Sequence, residues 1–130
     1  MGNYDAILTG HLVRNIIQHA GVKPERFSLD WASAAEAQLF VELITKFTGR
    51  IKELGPLGEA EGIARNELKV SLSAARSAVE SHKLRTRIGK LAKELRHIQD
   101  YSPDLIEEKM AEKLNEAIIK EMDKHLTQSA

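Results

Sequence analysis

The chain has 130 residues, and its 19 Lys and Arg are balanced by 19 Asp and Glu. A zero balance removes any global electrostatic case for nucleic acid or an anionic membrane, and the length allows one domain with a modest core. With no cysteine, disulfides, thiolate catalysis and cysteine-held metal or iron–sulfur centres are excluded for this chain by itself.

The N-terminus MGNYDAILTG lacks the basic start of a signal peptide, and no apolar run approaches the roughly 20 residues that span a bilayer, so the expected location is the cytoplasm and no membrane contact is expected. Gly2 to Tyr4 read as a turn. From Asp5 to Ala20 the residues Ala6, Ile7, Val13, Ile16, Ile17 and Ala20 share one helical face, with Gly21 as the C-terminal cap. Val22 to Glu25 form a connection whose direction Pro24 fixes.

Phe27, Leu29 and Trp31 then alternate with Ser28, Asp30 and Ala32, the period of a half-buried strand. Ser33 followed by Glu36 has the capping-box spacing, and Phe40, Ile44, Phe47, Ile51 and Leu54 give the next helix an apolar face. Gly55 and Pro56 end it. A strand feeding a long amphipathic helix is half of an alternating α/β unit. One strand cannot pair its own backbone. The first half therefore borrows a sheet from another chain, belongs to a larger α/β domain, or pairs its strand in a homodimer.

Gly58 to Asn66 is a connector, and beyond it only helical periods appear. Leu68, Leu72, Ala75 and Val79 make one thin stripe; Leu84, Ile88, Leu91, Leu95 and Ile98 make a second. Ser102 and Pro103 announce a third helix, which turns Ile106, Met110, Leu114, Ala117, Ile118 and Met122 inward. The expected division is 1–57, a linker at 58–66, and a three-helix extension at 67–130. The fold class expected is α+β, mostly α.

Little in the chain carries chemistry. His11, His19, His82, His97 and His125 are scattered, and Glu94 with His97 makes a single Glu-x-x-His, where carboxylate-bridged di-iron bundles need two plus further glutamates. Glu108, Glu112 and Glu116 share a face with Lys109 and Lys113 nearby, which reads as a solvated, ion-paired surface rather than an acid/base pair. There is no phosphate-binding glycine loop and no serine in a nucleophile elbow, so catalysis by this chain is not expected. Lys83, Arg85, Arg87, Lys90 and Lys93 form a basic run in which Lys83, Arg87 and Lys90 can share a face. Without aromatic residues beside it, the run reads as a protein-docking or solvated surface, and nucleic acid is disfavoured. Trp31 reads as a core residue.

GNY at Gly2 to Tyr4, GVKPERFSLDWASAAEAQLF at Gly21 to Phe40, and IKELGPLG at Ile51 to Gly58 resemble the delta subunit of methyl-viologen-reducing hydrogenases. The likeness covers roughly Gly2 to Leu57, and residues 66–125 resemble more loosely a helical extension of some members. The family is the small iron–sulfur subunit linking a hydrogenase or formate dehydrogenase to heterodisulfide reductase. The resemblance implies that residues 1–57 are the C-terminal helix-strand-helix piece of an α/β, flavodoxin-like domain. The family's 2Fe–2S ligands lie upstream of the Gly-Asn-Tyr, so this chain is expected to bind no cofactor alone and the cluster is expected from residues outside it. Members often carry a basic pair where Leu8 and Thr9 stand and a glycine at Ala37.

The resemblance thus implies a non-catalytic component of a redox complex. Its expected partners are a cysteine-bearing iron–sulfur subunit or fragment, the heterodisulfide reductase flavin subunit, and a hydrogenase or formate dehydrogenase. Gly2, Asn3, Tyr4, Ser33 and Glu36 are the residues expected to approach a cluster from outside its ligands. Phe27, Leu29, Trp31, Lys83, Arg87 and Lys90 are expected to dock partners. The alternative is a self-associating helical interaction module with no redox role.

Overall fold

The computed structural model describes residues 2–129 and is helical throughout. Helix α1 (Gly2–His19) leads through a 3-10 turn (Pro24–Arg26) to α2 (Ala37–Leu54), and then follow α3 (Arg65–Glu80), α4 (His82–Ile98), α5 (Pro103–Lys113) and α6 (Asn115–Ser129). There is no strand among the described residues. This overturns the α+β class and the helix-strand-helix piece of a flavodoxin-like domain. The backbone at Phe27 is extended (φ −118°, ψ 138°), but its N–H bonds to the Pro24 carbonyl at 3.0 Å, and no second extended segment lies alongside to form a ladder. The alternation at residues 27–32 is therefore not a strand, although the backbone of Phe27 itself is extended.

Two further expectations change. Gly2 to Tyr4 belong to α1 rather than to a turn. The helix expected from Pro103 breaks at Leu114 (φ −118°), so the extension has four helices instead of three. Asn115, a poor helix former, opens α6, and its Oδ1 is buried without a hydrogen-bond partner.

The core belongs to the second half of the chain plus α1. Alanines 74, 75 and 78 of α3 are buried and let α6 approach closely. α4 packs on α3 and α5, while α1 lies against α3, α5 and α6. Leu84, Leu91, Leu95, Ile106, Met110, Leu114 and Ile118 are the large side chains wholly removed from water, and α1 adds Leu8, Ile16 and Ala20. The α3 stripe is rotated from its expected face: Ala74 and Ala78 are buried while Val79 is exposed.

α1 closes as its glycine suggests. The Gly21 N–H bonds to Gln18 O and the Val22 N–H to Ile17 O, a Schellman closure with φ +89° at Gly21 and buried Val22 as its apolar contact. A Cβ at Gly21 would also sit 2.6 Å from Ile63 Cδ1.

α2 differs from all of this, because it buries no residue and packs chiefly on the 3-10 turn. A polar clamp holds its C-terminal end. Arg26 Nε lies 2.7 Å from Glu61 Oε2, and its Nη atoms donate to the carbonyls of Leu54, Gly55 and Pro56, which caps the end of the helix. Glu61 also accepts from the N–H groups of Lys23 and Gly58. Both side chains are nearly sealed from water, at 9% and 2% exposure. The Arg26 hydrogen bonds hold the Glu61 carboxyl at about 2, against the usual 4.5, and the backbone N–H of Lys23 adds to the effect.

Candidate functional site

Residues 27–32 pass α1 at Gly10, where the lack of a side chain lets Leu29 come close. A Cβ there would lie 2.7 Å from Leu29 Cδ2. The crossing divides the surface in two. Phe27, Leu29 and Trp31 line a cleft of about 310 Å³ with Ile7, Gly10, His11 and Arg14 of α1 and Tyr101 and Pro103 beyond α4. Ser28, Asp30 and Ala32, again with Leu29, line a second groove of about 340 Å³ against Phe40, Leu43, Ile44 and Phe47 of α2. Leu29 belongs to both, so the residues that alternate in sequence divide only in part between the two grooves.

One lining residue of the cleft, His11, belongs to a polar network. His11 Nδ1 lies 2.5 Å from Glu107 Oε1, and since a carboxylate only accepts, the ring proton sits on Nδ1. Asn15, the buried polar residue of the core, donates to the His11 carbonyl at 2.8 Å and to the Glu107 oxygens at 3.3 and 3.4 Å. Beside this network Tyr101 stacks on Tyr4 with centroids 4.5 Å apart. Sequence reasoning placed His11 among scattered histidines and missed Asn15 and Glu107. The available signal was Asn15 itself, a polar residue seven positions after Leu8 on the buried face of α1.

The other expected positions fall as follows. Gly2 and Asn3 lie in the first turn of α1, and the Asn3 side chain is outside the described residues. Ser33 and Glu36 meet each other, with the Ser33 N–H donating to Glu36 Oε1 at 3.2 Å. They form a turn ahead of α2 rather than its cap, since α2 starts at Ala37 with no side-chain cap bond. Trp31 is 46% exposed and so is not the core residue expected. Lys83, Arg87 and Lys90 are all exposed on α4, but Arg87 and Lys90 share their shallow surface with Glu94, Glu112 and Lys113. Lys113 at 2.5 Å and Lys109 at 3.0 Å bind Glu94 and hold its carboxyl below the usual range. The basic run is thereby interleaved with acid.

The residues present do not fit an iron–sulfur cluster. The chain has no cysteine, and among the described residues no three His, Asp or Glu side chains gather as a metal site. No helix among the described residues is long and apolar enough to cross a membrane.

Residues 1–55 match the family of methyl-viologen-reducing hydrogenase delta subunits (FlpD), so the resemblance read from the motifs holds over that segment. Over 55 residues the chain is 38% identical to an iron–sulfur subunit of the F420-non-reducing hydrogenase of Archaeoglobus profundus, covering 42% of this chain and 40% of that one. Over 57 residues it is 39% identical to one of the subunits of the ferredoxin:CoB-CoM heterodisulfide reductase of Methanosarcina mazei, covering 44% of this chain and 7% of that one. The matched segment is thus less than half of each relative's length. No solved structure matches the chain.

Proposed function

We propose that this chain is a non-catalytic component of an iron–sulfur electron-transfer subunit that links a hydrogenase or formate dehydrogenase to heterodisulfide reductase, with the cluster ligands supplied by another polypeptide in the cytoplasm. One observation carries the reading: a delta-subunit segment at residues 1–55 occurs in a chain without cysteine, and its helix α2 leaves Phe40, Val41 and Ile44 at 57%, 60% and 50% exposure. An amphipathic helix gains little stability from propensity alone, so a bare apolar face of this width is an interaction surface. On this reading residues 1–57 meet the cluster-bearing partner, through Phe27, Leu29, Trp31 and α2. Tyr4, Ser33 and Glu36, with Gly2 and Asn3, lie toward the cluster. Residues 67–130 are the helical extension, and Lys83, Arg87 and Lys90 face a further subunit, such as the flavin subunit of heterodisulfide reductase. Electrons would pass through groups outside this chain.

The test is anaerobic capture from native extract with this chain as bait, with mass spectrometry and visible absorption of what returns. Recovery of a cysteine-bearing small subunit with an iron–sulfur spectrum, lost in Ile44→Asp, supports the reading. Return of the folded, colourless chain alone refutes it. The bare α2 face equally favours a second reading, a self-associating helical module with no redox role. Light scattering separates the two: a stable dimer that Ile44→Asp dissociates, with no captured partner, would favour the module.

A further inference from the structure

We infer that the cleft between α1 and residues 27–31 is a binding site for a small planar aromatic carboxylate. This goes beyond the electron-transfer reading and does not rest on it: the site belongs to the free chain, in which Phe27 and Trp31 are not covered by the partner that reading assigns to them. Size comes first. At about 310 Å³ the cleft lies at the small end of the roughly 300–1,000 Å³ of ligand sites, enough for one or two fused rings and too little for a dinucleotide. Its walls are aromatic on two sides, Phe27 and Trp31 from the extended segment and Tyr101 from the α4–α5 connection. Flat rings stack on such walls better than branched aliphatic groups do. Tyr101 is steadied for that role by its stack on Tyr4.

The charge of the ligand follows from Arg14, which lines the cleft three residues after His11 on the same helix. Arg14 is exposed and has no hydrogen-bond or ion-pair partner among the described residues, unlike Arg26, whose guanidinium is fully engaged. An unpaired guanidinium fork matches a carboxylate in two parallel hydrogen bonds. The His11 ring is oriented by Glu107, which Asn15 holds in turn, so its Nδ1 donates to the carboxylate and Nε2 is left as an acceptor. Burying Asn15 costs free energy unless its bonds are made, and here those bonds fix one imidazole on the cleft wall.

Trp31 is the chain's single tryptophan and stands in the cleft, so its emission reports occupancy. The experiment titrates the full chain with benzoate, benzyl alcohol and cyclohexanecarboxylate, for wild type and for Arg14→Gln. Saturable quenching by benzoate is expected, about tenfold tighter than by the uncharged or the non-aromatic probe, with Arg14→Gln weakening both carboxylates, so that benzoate loses its advantage over benzyl alcohol but not over cyclohexanecarboxylate, and leaving benzyl alcohol unchanged. Far-UV circular dichroism checks that the exposed Arg14 site tolerates the change. No saturable response to benzoate up to the solubility of its sodium salt would overturn the site. Equal response to all three probes, or benzoate binding indifferent to Arg14→Gln, would overturn the assigned chemistry.

Discussion

α2 and α4 are nearly equal in length, at 18 and 17 residues, and both carry an apolar stripe at helical spacing. α4 buries Leu84, Leu91 and Leu95 between α3 and α5, whereas α2 buries nothing. Their stripes alone do not separate them. What separates them is the availability of facing surface within the chain. Helices α3 to α6, with α1, cover one another, and α2 is left tethered by the Arg26–Glu61 clamp with its apolar face to solvent. An amphipathic stripe states that a helix wants a partner, not that the same chain contains one.

The largest contrast is expected from the stripes themselves. Leu91→Ala should cost about 3 kcal/mol in a thermal or urea melt, through lost transfer energy and a cavity, while Ile44→Ala should cost less than about 0.5 kcal/mol. Equal effects would mean that α2 is covered in solution.

The clamp comes next. Glu61→Ala leaves the Arg26 charge buried and should destabilise the attachment of α2 by about 3 kcal/mol, read as faster amide exchange in α2 than in α4. The same contact carries a pH dependence. The folded carboxyl is depressed from 4.5 to about 2, so its contribution is complete above about pH 4.5 and is lost as pH falls toward 2. Its full size is on the order of 3 kcal/mol. The protection of α2 amides, relative to their intrinsic exchange at each pH, should therefore fall across that window, and Glu61→Gln should flatten the profile.

A smaller difference is expected at the two helix starts. Ser81 Oγ accepts from the Leu84 N–H at 3.3 Å, so Ser81→Ala should cost about 1 kcal/mol. Ser33 makes no side-chain cap bond to α2, and Ser33→Ala should fall within about 0.3 kcal/mol of wild type in the same melts.

Much of the fold was written in local signals. The inward residues of the last helical stretch, Ile106 to Met122, are all buried as their spacing requires. Gly21 and Gly55 end their helices where they stand, and Pro103 starts one. The capping-box spacing of Ser33 and Glu36 gave the right contact and the wrong start, because their bond closes a turn one step before the helix. The candidate site was less legible. Phe27, Leu29 and Trp31 were found together by alternation, but Arg14, Asn15, Tyr101 and Glu107 reach the same place from positions up to 96 residues from His11. No local pattern records such a meeting.

Most helix positions, the apolar faces of α5 and α6, the absence of cysteine and the family match of residues 1–55 follow from the amino-acid order, since each depends on residues close along the chain or on composition. The rest was settled in three dimensions. Whether an extended segment becomes a strand depends on a second backbone to bond, and whether a stripe becomes core depends on a surface to meet it. In this chain α3 to α6 found those surfaces in one another, and residues 27–54 did not.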